Sequence, residues 1–358
     1  MNIRNSVLLF GLALGITPLH AQGSSAAYQP GITQDAVSYW LPKTQLTVQV
    51  KVQKQTFKPG EFSRYAERYL RLSDVRDKAE EIWTISDVQI LSAGIPDKDN
   101  LYTLTFSPKG NRPYIELTRD GILSAVNVRS GEPESQTVKP AAEPAPKKIN
   151  PQDYMTEEIL MAGSTAKMAE LTAKEIYNIR ESRNAITRGQ ADFIPTDGES
   201  LKFMLESLTA QEAALLTLFS GTTQTEEITF SINVTPDAPL NKQILFRFSG
   251  KLGVLPIDNL AGEPVWIDIN DRKMMDGYSE SAKVQSNKFK KYTPFLYYRI
   301  PGRASVRIYN NRTEFLEQDV RVAQFGSIEA VPSTIMGKNA DAKITFDTTT
   351  GAVITINR

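Results

Sequence analysis

A single histidine, His20, and the absence of cysteine restrict this chain's chemistry before any fold is considered. His20 closes a stretch that reads as removable. Asn2 and Arg4 precede the apolar run Val7 to Ile16, and Pro18 and the tripeptide Leu19-His20-Ala21 follow it. That is the layout of a secretory signal peptide over residues 1–21, cleaved after Ala21. The run holds about ten apolar residues, short of the roughly 20 that span a bilayer, and no later run approaches that length. The mature chain then holds neither imidazole nor thiol. Serine–histidine and cysteine–histidine catalysis, Cys/His zinc sites, haem ligation and disulfides are excluded. Carboxylate, Lys, Tyr or Ser–Lys chemistry remains, along with oxygen-ligated hard cations. No cofactor is expected, and the address is the periplasm, the outer membrane or the exterior.

Ser164-Thr165-Ala166-Lys167 matches S-x-x-K, in which a helical turn sets Lys beside a nucleophilic Ser. The companion S-D-N and K-T-G motifs are missing, so the tetrapeptide reads as a helix start with an exposed lysine. Asp268-Ile269-Asn270-Asp271, with Asp276-Gly277 beyond, gathers oxygen ligands. Arg272 and Lys273 stand where a calcium loop needs a ligand and a glycine. Pro96-Asp97-Lys98-Asp99-Asn100 has turn composition. Glu181, among Arg180 and Arg183, reads as local charge pairing. Forty-one acids always offer some pair at glycosidase spacing, so a carboxylate-dependent hydrolase of envelope or host glycans is the alternative function.

One stretch has the composition of a binding face. Residues 281–313 contain no acid but carry Lys283, Lys288, Lys290, Lys291, Arg299, Arg303, Arg307 and Arg312, interleaved with Phe289, Tyr292, Phe295, Tyr297 and Tyr298. Lys288, Lys290, Lys291, Tyr292, Tyr297, Arg299 and Arg303 are the candidate contacts for an anionic envelope glycan, a lipid headgroup or an acidic protein. Export sets nucleic acid aside. Strand alternation supplies the plainer reading, in which aromatics pack a core and cations disperse into water.

These residues need elements to position them. The chain has no formal net charge, with 23% charged and 41% hydrophobic residues, a globular composition. Leu46, Val48, Val50 and Val52 alternate as a half-buried strand, and Tyr114 to Leu123 turns at Asp120-Gly121 as a hairpin. An N-terminal α+β module over 39–128 gives way to a proline-rich linker over 129–151. A helical segment over 152–224 follows, with an apolar stripe of Met161, Met168, Leu171, Ile176, Ile179 and Ile186. Lys174 should pair with Glu170, and Thr209-Ala210-Gln211-Glu212 should open a second helix that ends at Gly221. Short strands from 225 to 358 predict a β-sandwich-like C-terminal module. The fold class is therefore α+β: a β-rich N-terminal module, a helical middle and a β-rich end. Ile115 to Asn127 and Ile344 to Asn357 echo each other as strand, polar turn, Gly, strand and Asn, which fits either duplication or two ordinary hairpins.

Several phrases also resemble a known family. They are Lys58-Pro59-Gly60-Glu61-Phe62 with Tyr65-Ala66 and Tyr69-Leu70, Ile179-Arg180-Glu181-Ser182-Arg183, and Gln211-Glu212-Ala213-Ala214-Leu215. Tyr298-Arg299-Ile300-Pro301-Gly302 and Gln324-Phe325-Gly326 complete the set. In order over roughly 39–358 they resemble the secreted bacterial proteins grouped as domain of unknown function 4831. The resemblance implies export from a Gram-negative cell and a two-part β-rich body, and it brings no activity or site residue with it.

Overall fold

The computed structural model describes residues 36–105, 113–129, 150–273, 295–332 and 342–357. The stretch 1–21 expected to be a signal peptide and most of the proline-rich segment lie outside them. The first half runs β1 (Ala36–Lys58), α1 (Ala66–Leu70), β2 (Glu80–Thr105), β3 (Ile115–Leu117) and β4 (Leu123–Val126). Helices α2 (Glu157–Leu160), α3 (Thr165–Thr187) and α4 (Gly198–Ser220) follow. The remainder is β5 (Thr222–Val234), β6 (Leu240–Ser249), β7 (Gly253–Leu255), β8 (Glu263–Asp271), β9 (Phe295–Tyr309), β10 (Glu314–Pro332), β11 (Lys343–Phe346) and β12 (Val353–Asn357). The protein is α+β and β-rich.

Alternation builds the main sandwich. Leu46, Val48, Val50 and Val52 are each 0% exposed on one face of β1, which β2 and β5 flank in an antiparallel sheet ordered β2-β1-β5. That face packs on Phe246, Val265, Ile267, Ile269, Ala304, Val306 and Ile308 from a second sheet ordered β10-β9-β8-β6-β7. A third sheet, β12-β11-β4-β3, closes over Val37, Tyr39 and Leu41 of β1 and Leu296 of β9. Strands from both sides of residues 129–151 thus share sheets. β5 pairs with β1 from Leu46–Val234 to Lys58–Thr222, and β11 joins β4 through Ile344–Val126 and Thr345–Ala125.

The helices form a separate core. Ala169, Ala173, Ile176 and Ile179 of α3 meet Leu215, Leu218 and Phe219 of α4 over Phe62, Ala66 and Leu70. Met161 is not part of this stripe: it is α2's C-terminal cap and 78% exposed. The expected Glu170–Lys174 pair is replaced by Lys167 to Glu170 at 2.9 Å, one turn earlier. The second helix also starts earlier than its apparent capping box. Asp197 caps α4 by accepting from the Ser200 N–H at 2.9 Å, while Thr209 donates back to the Leu205 carbonyl at 2.8 Å from mid-helix. Gly221 does end the helix, at φ 80°.

The sequence echo has a structural counterpart. Gly121 and Gly351 both sit at φ 77° in the turns of hairpins β3–β4 and β11–β12. Their carbonyls accept from the long strands, Gly121 from Trp40 N–H at 2.9 Å and Gly351 from Arg299 N–H at 3.0 Å. The paired long strands break register alike. β2 bulges between pairs Trp40–Leu101 and Pro42–Pro96, and β10 between Ile300–Ser327 and Gly302–Val322. Two arms of similar plan therefore cross near Pro42 and Gly302.

Candidate functional site

The most elaborate polar cluster among the described residues lies at that crossing. Arg299 is 5% exposed, and its guanidinium donates to Asp97 Oδ2 and, at 3.3 Å, to the Ala323 carbonyl. Its Nε is buried without a partner. Asp97, 1% exposed, also accepts from Asn100 Nδ2 at 2.8 Å and from the Asp99 N–H at 3.2 Å. Lys43 Nζ bridges outward, 3.5 Å from Asp97, 3.6 Å from Asp99 and 3.1 Å from Asp237. The hydrogen bond to Asp237 holds the Lys43 pKa above its usual value, whereas burial pulls that of Arg299 down.

Aromatic and hydroxyl groups complete the site. Tyr297 stacks on Tyr102 with ring centroids 4.3 Å apart. Tyr39 donates to the Tyr297 carbonyl at 3.0 Å and accepts from its N–H at 2.8 Å, and burial raises the phenol's pKa. Thr44, 0% exposed, donates to the Thr349 carbonyl at 3.1 Å and accepts from the Ala323 N–H at 2.9 Å. Gln324 clasps the Thr44 backbone, accepting from its N–H at 2.9 Å and donating to its carbonyl at 3.0 Å. Gly326 is required by proximity, since a Cβ there would stand 1.7 Å from the Ile300 carbonyl oxygen.

This arrangement ties β1 and β2 to β9, β10 and the turn before β12. Asp97 is committed to donors on several sides. Lys43 already supplies the positive charge that a cation would bring to Asp97, Asp99 and Asp237.

A second polar cluster, in the helices, has the same character. Glu212 is 7% exposed in the middle of α4 and accepts from Arg180 and Arg183 at 2.6 Å each. Glu181, read with those arginines in the sequence, is exposed instead. Above this clamp the Phe62 N–H donates to the Leu218 carbonyl at 2.7 Å, and a Cβ on Gly60 would lie 2.2 Å from that oxygen.

Residues 35–354 match the family model described as Domain of unknown function (DUF4831). The chain belongs to that family. No curated protein and no solved structure matches it. The phrases that carry the DUF4831 resemblance in the sequence lie at the two clusters. Lys58 to Phe62, Ile179 to Arg183 and Gln211 to Leu215 surround Glu212 and the Phe62 dock, while Tyr298 to Gly302 and Gln324 to Gly326 surround the crossing.

Other candidates in this DUF4831 chain have plain positions. Lys288, Lys290, Lys291 and Tyr292 lie outside the described residues. Tyr297 and Arg299 meet at the crossing through Tyr102, away from Arg303, which is exposed on the outer face of β9. Arg307 and Arg312 are 3.1 Å from Asp268 and 3.4 Å from Glu263. Ser164 caps α3 by accepting from the Lys167 N–H at 3.2 Å, so S-x-x-K here opens a helix. Asp268 accepts from the Lys242 N–H at 2.6 Å and from Arg307, in a strand rather than a calcium loop. Sequence reading missed Asp97, Glu212 and Thr44 as anchors. A buried acid within reach of several arginines leaves only a faint mark, the lone Glu212 in an otherwise apolar turn.

Proposed function

We propose that this DUF4831 protein is a non-enzymatic binding or scaffold protein, exported to the periplasm or the outer-membrane surface, that holds an anionic envelope component. Glycan, lipid headgroup and acidic protein are the chemistries that fit the basic, aromatic stretch 281–313. The observation that carries the reading is the fate of the buried acids. Asp97, Glu212 and Asp268 are the acidic residues buried as a whole among the described residues, and arginine takes each one, while half-buried Glu329 keeps one buried oxygen without a partner. Glycoside hydrolysis needs a carboxyl free to hand over a proton about 5–10 Å from its partner. These three serve as acceptors instead.

Two measurements test it. N-terminal sequencing of the native protein from an envelope fraction should begin at Gln22, and a cytosolic chain retaining Met1 would overturn the address. The K288E/K290E/K291E variant should lose salt-sensitive binding to envelope material while its stability stays within about 0.5 kcal/mol of wild type. Wild-type binding by that variant places the face elsewhere.

A further inference from the structure

We propose that the outer face of the β8–β9–β10 sheet carries an anion site, made of Arg321, Arg303 and Arg272, for a phosphate or sulfate group. The register places them in one row. Arg303 stands directly opposite Arg321, and directly opposed residues on antiparallel strands share a face. Their neighbours Ala304 and Val322 are 0% exposed toward the core, so both arginines point outward, where both are exposed. The pair Asp271–Ala304 carries the register on to Arg272, whose N–H donates to the Arg303 carbonyl at 2.8 Å. Arg272 then reaches across β9 to Asp319 at 3.2 Å, passing over Ser305. That bridge accounts for an outward-facing serine being only 8% exposed.

The rest of this face is balanced. Arg307 has Asp268 and, at 3.9 Å, Glu314, while Arg312 has Glu263. Among the described residues, no carboxylate pairs with Arg303 or Arg321. Like charges set directly opposite destabilise a strand pair. An oxyanion with two or more oxygens turns that juxtaposition to use, because two guanidinium forks side by side can each make paired hydrogen bonds to it. Arg272, held by a partly exposed acid, is a third donor that an incoming oxyanion can recruit from Asp319. Phosphate on a lipid or sulfate on a glycan supplies the same chemistry.

The site rests on the proposed envelope-binding function for its ligand's source, but it can fail separately. Dextran sulfate, inorganic pyrophosphate and vesicles containing phosphatidylglycerol are the probes, with binding read by calorimetry and co-sedimentation at low and high salt. R303Q/R321Q should bind at least about tenfold more weakly than wild type, given two lost charge-assisted contacts, with an unfolding midpoint no lower than wild type. D319N should bind about two- to fivefold more tightly, because Arg272 is released from a surface ion pair. Tight binding to dextran sulfate alone assigns the site to sulfated glycan, and to vesicles alone assigns it to lipid. Undiminished binding by R303Q/R321Q, with loss in K288E/K290E/K291E, overturns the arginine row and leaves the envelope-binding function standing. If wild type binds none of the probes yet is retained by envelope material, the row is likewise overturned. If envelope material fails to retain it as well, both fall.

Discussion

The β1–β2 arm with its hairpin β3–β4 and the β9–β10 arm with its hairpin β11–β12 are built on one backbone plan and diverge in their side chains. Each has a register break in its second strand, a hairpin glycine at φ 77°, and a hydrogen bond from the long strand to that glycine's carbonyl. The bulged residues differ. In the first arm they are Asp97 to Asn100, charged of both signs apart from Asn100. In the second they are Ala323 to Gly326, all uncharged. Each bulge also serves the other arm, for Asp97 holds Arg299 of β9 and Gln324 holds Thr44 of β1. A repeated backbone with unlike side chains makes the arms interlock in one orientation only.

The sharpest break in that interlock is D97A. It leaves the Arg299 guanidinium buried with no counter-charge, and removing one partner of a buried ion pair costs about 3–5 kcal/mol. Urea denaturation should show this as a lowered midpoint. D97L/R299M should recover much of the loss, since an apolar pair of similar size removes both desolvated charges. A double variant as unstable as D97A would show that the pair contributes more than charge balance.

The reciprocal contact should weigh less. T44V keeps the shape but strips the Thr349 carbonyl and the Ala323 N–H of their partner, at a cost of about 1–3 kcal/mol for buried groups left unmet. The hairpin glycines divide the arms more finely. Alanine at φ 77° costs about 1–2 kcal/mol at either position. At Gly351 the new Cβ would also stand 3.0 Å from the Pro42 ring and 3.2 Å from Arg299 Cβ. G351A should therefore lose more than the backbone conformation alone costs, and a loss of only about 1–2 kcal/mol would mean that the second arm yields at the crossing.

Much of this plan is legible in the sequence, because alternation and turn chemistry are local. Leu46 to Val52 declares a one-faced strand, and Asp120-Gly121 declares its turn. The start of α4 is obscured for the same reason. Thr209-Ala210-Gln211-Glu212 has the composition of a cap, yet it follows three helical turns whose Leu201, Met204 and Leu205 are only half buried and leave a weak stripe. The interlock is harder to read. Arg299 stands out among cations, but its acid lies 202 residues away on another arm, and no period connects them. Whether Lys288, Lys290 and Lys291 join Arg303 on one face is likewise a matter of chain path rather than pattern.

The smallest expected effect lies in alkaline solution, and it separates the crossing from the rest of the surface. Burial raises the Tyr39 and Tyr102 pKa values, and the hydrogen bond to Asp237 raises that of Lys43. In each case the folded protein holds its proton more tightly than the unfolded chain. Below about pH 10 both states are protonated at these groups and the contribution is fully present. Above that, the unfolded chain releases protons first, so stability falls as pH rises toward the folded values. Asp87, part-exposed, and Asp197, exposed, are shifted down by hydrogen bonds from Lys51 and from the Ser200 N–H, and their contribution disappears at the opposite, acid end. Y39F should start less stable at neutral pH, because the Tyr297 N–H and carbonyl lose their partner, yet its urea midpoint should decline less steeply between pH 9 and about pH 11. Parallel declines in the two proteins would remove Tyr39 from the account and leave Lys43 and Tyr102 as the groups that tie the crossing to pH.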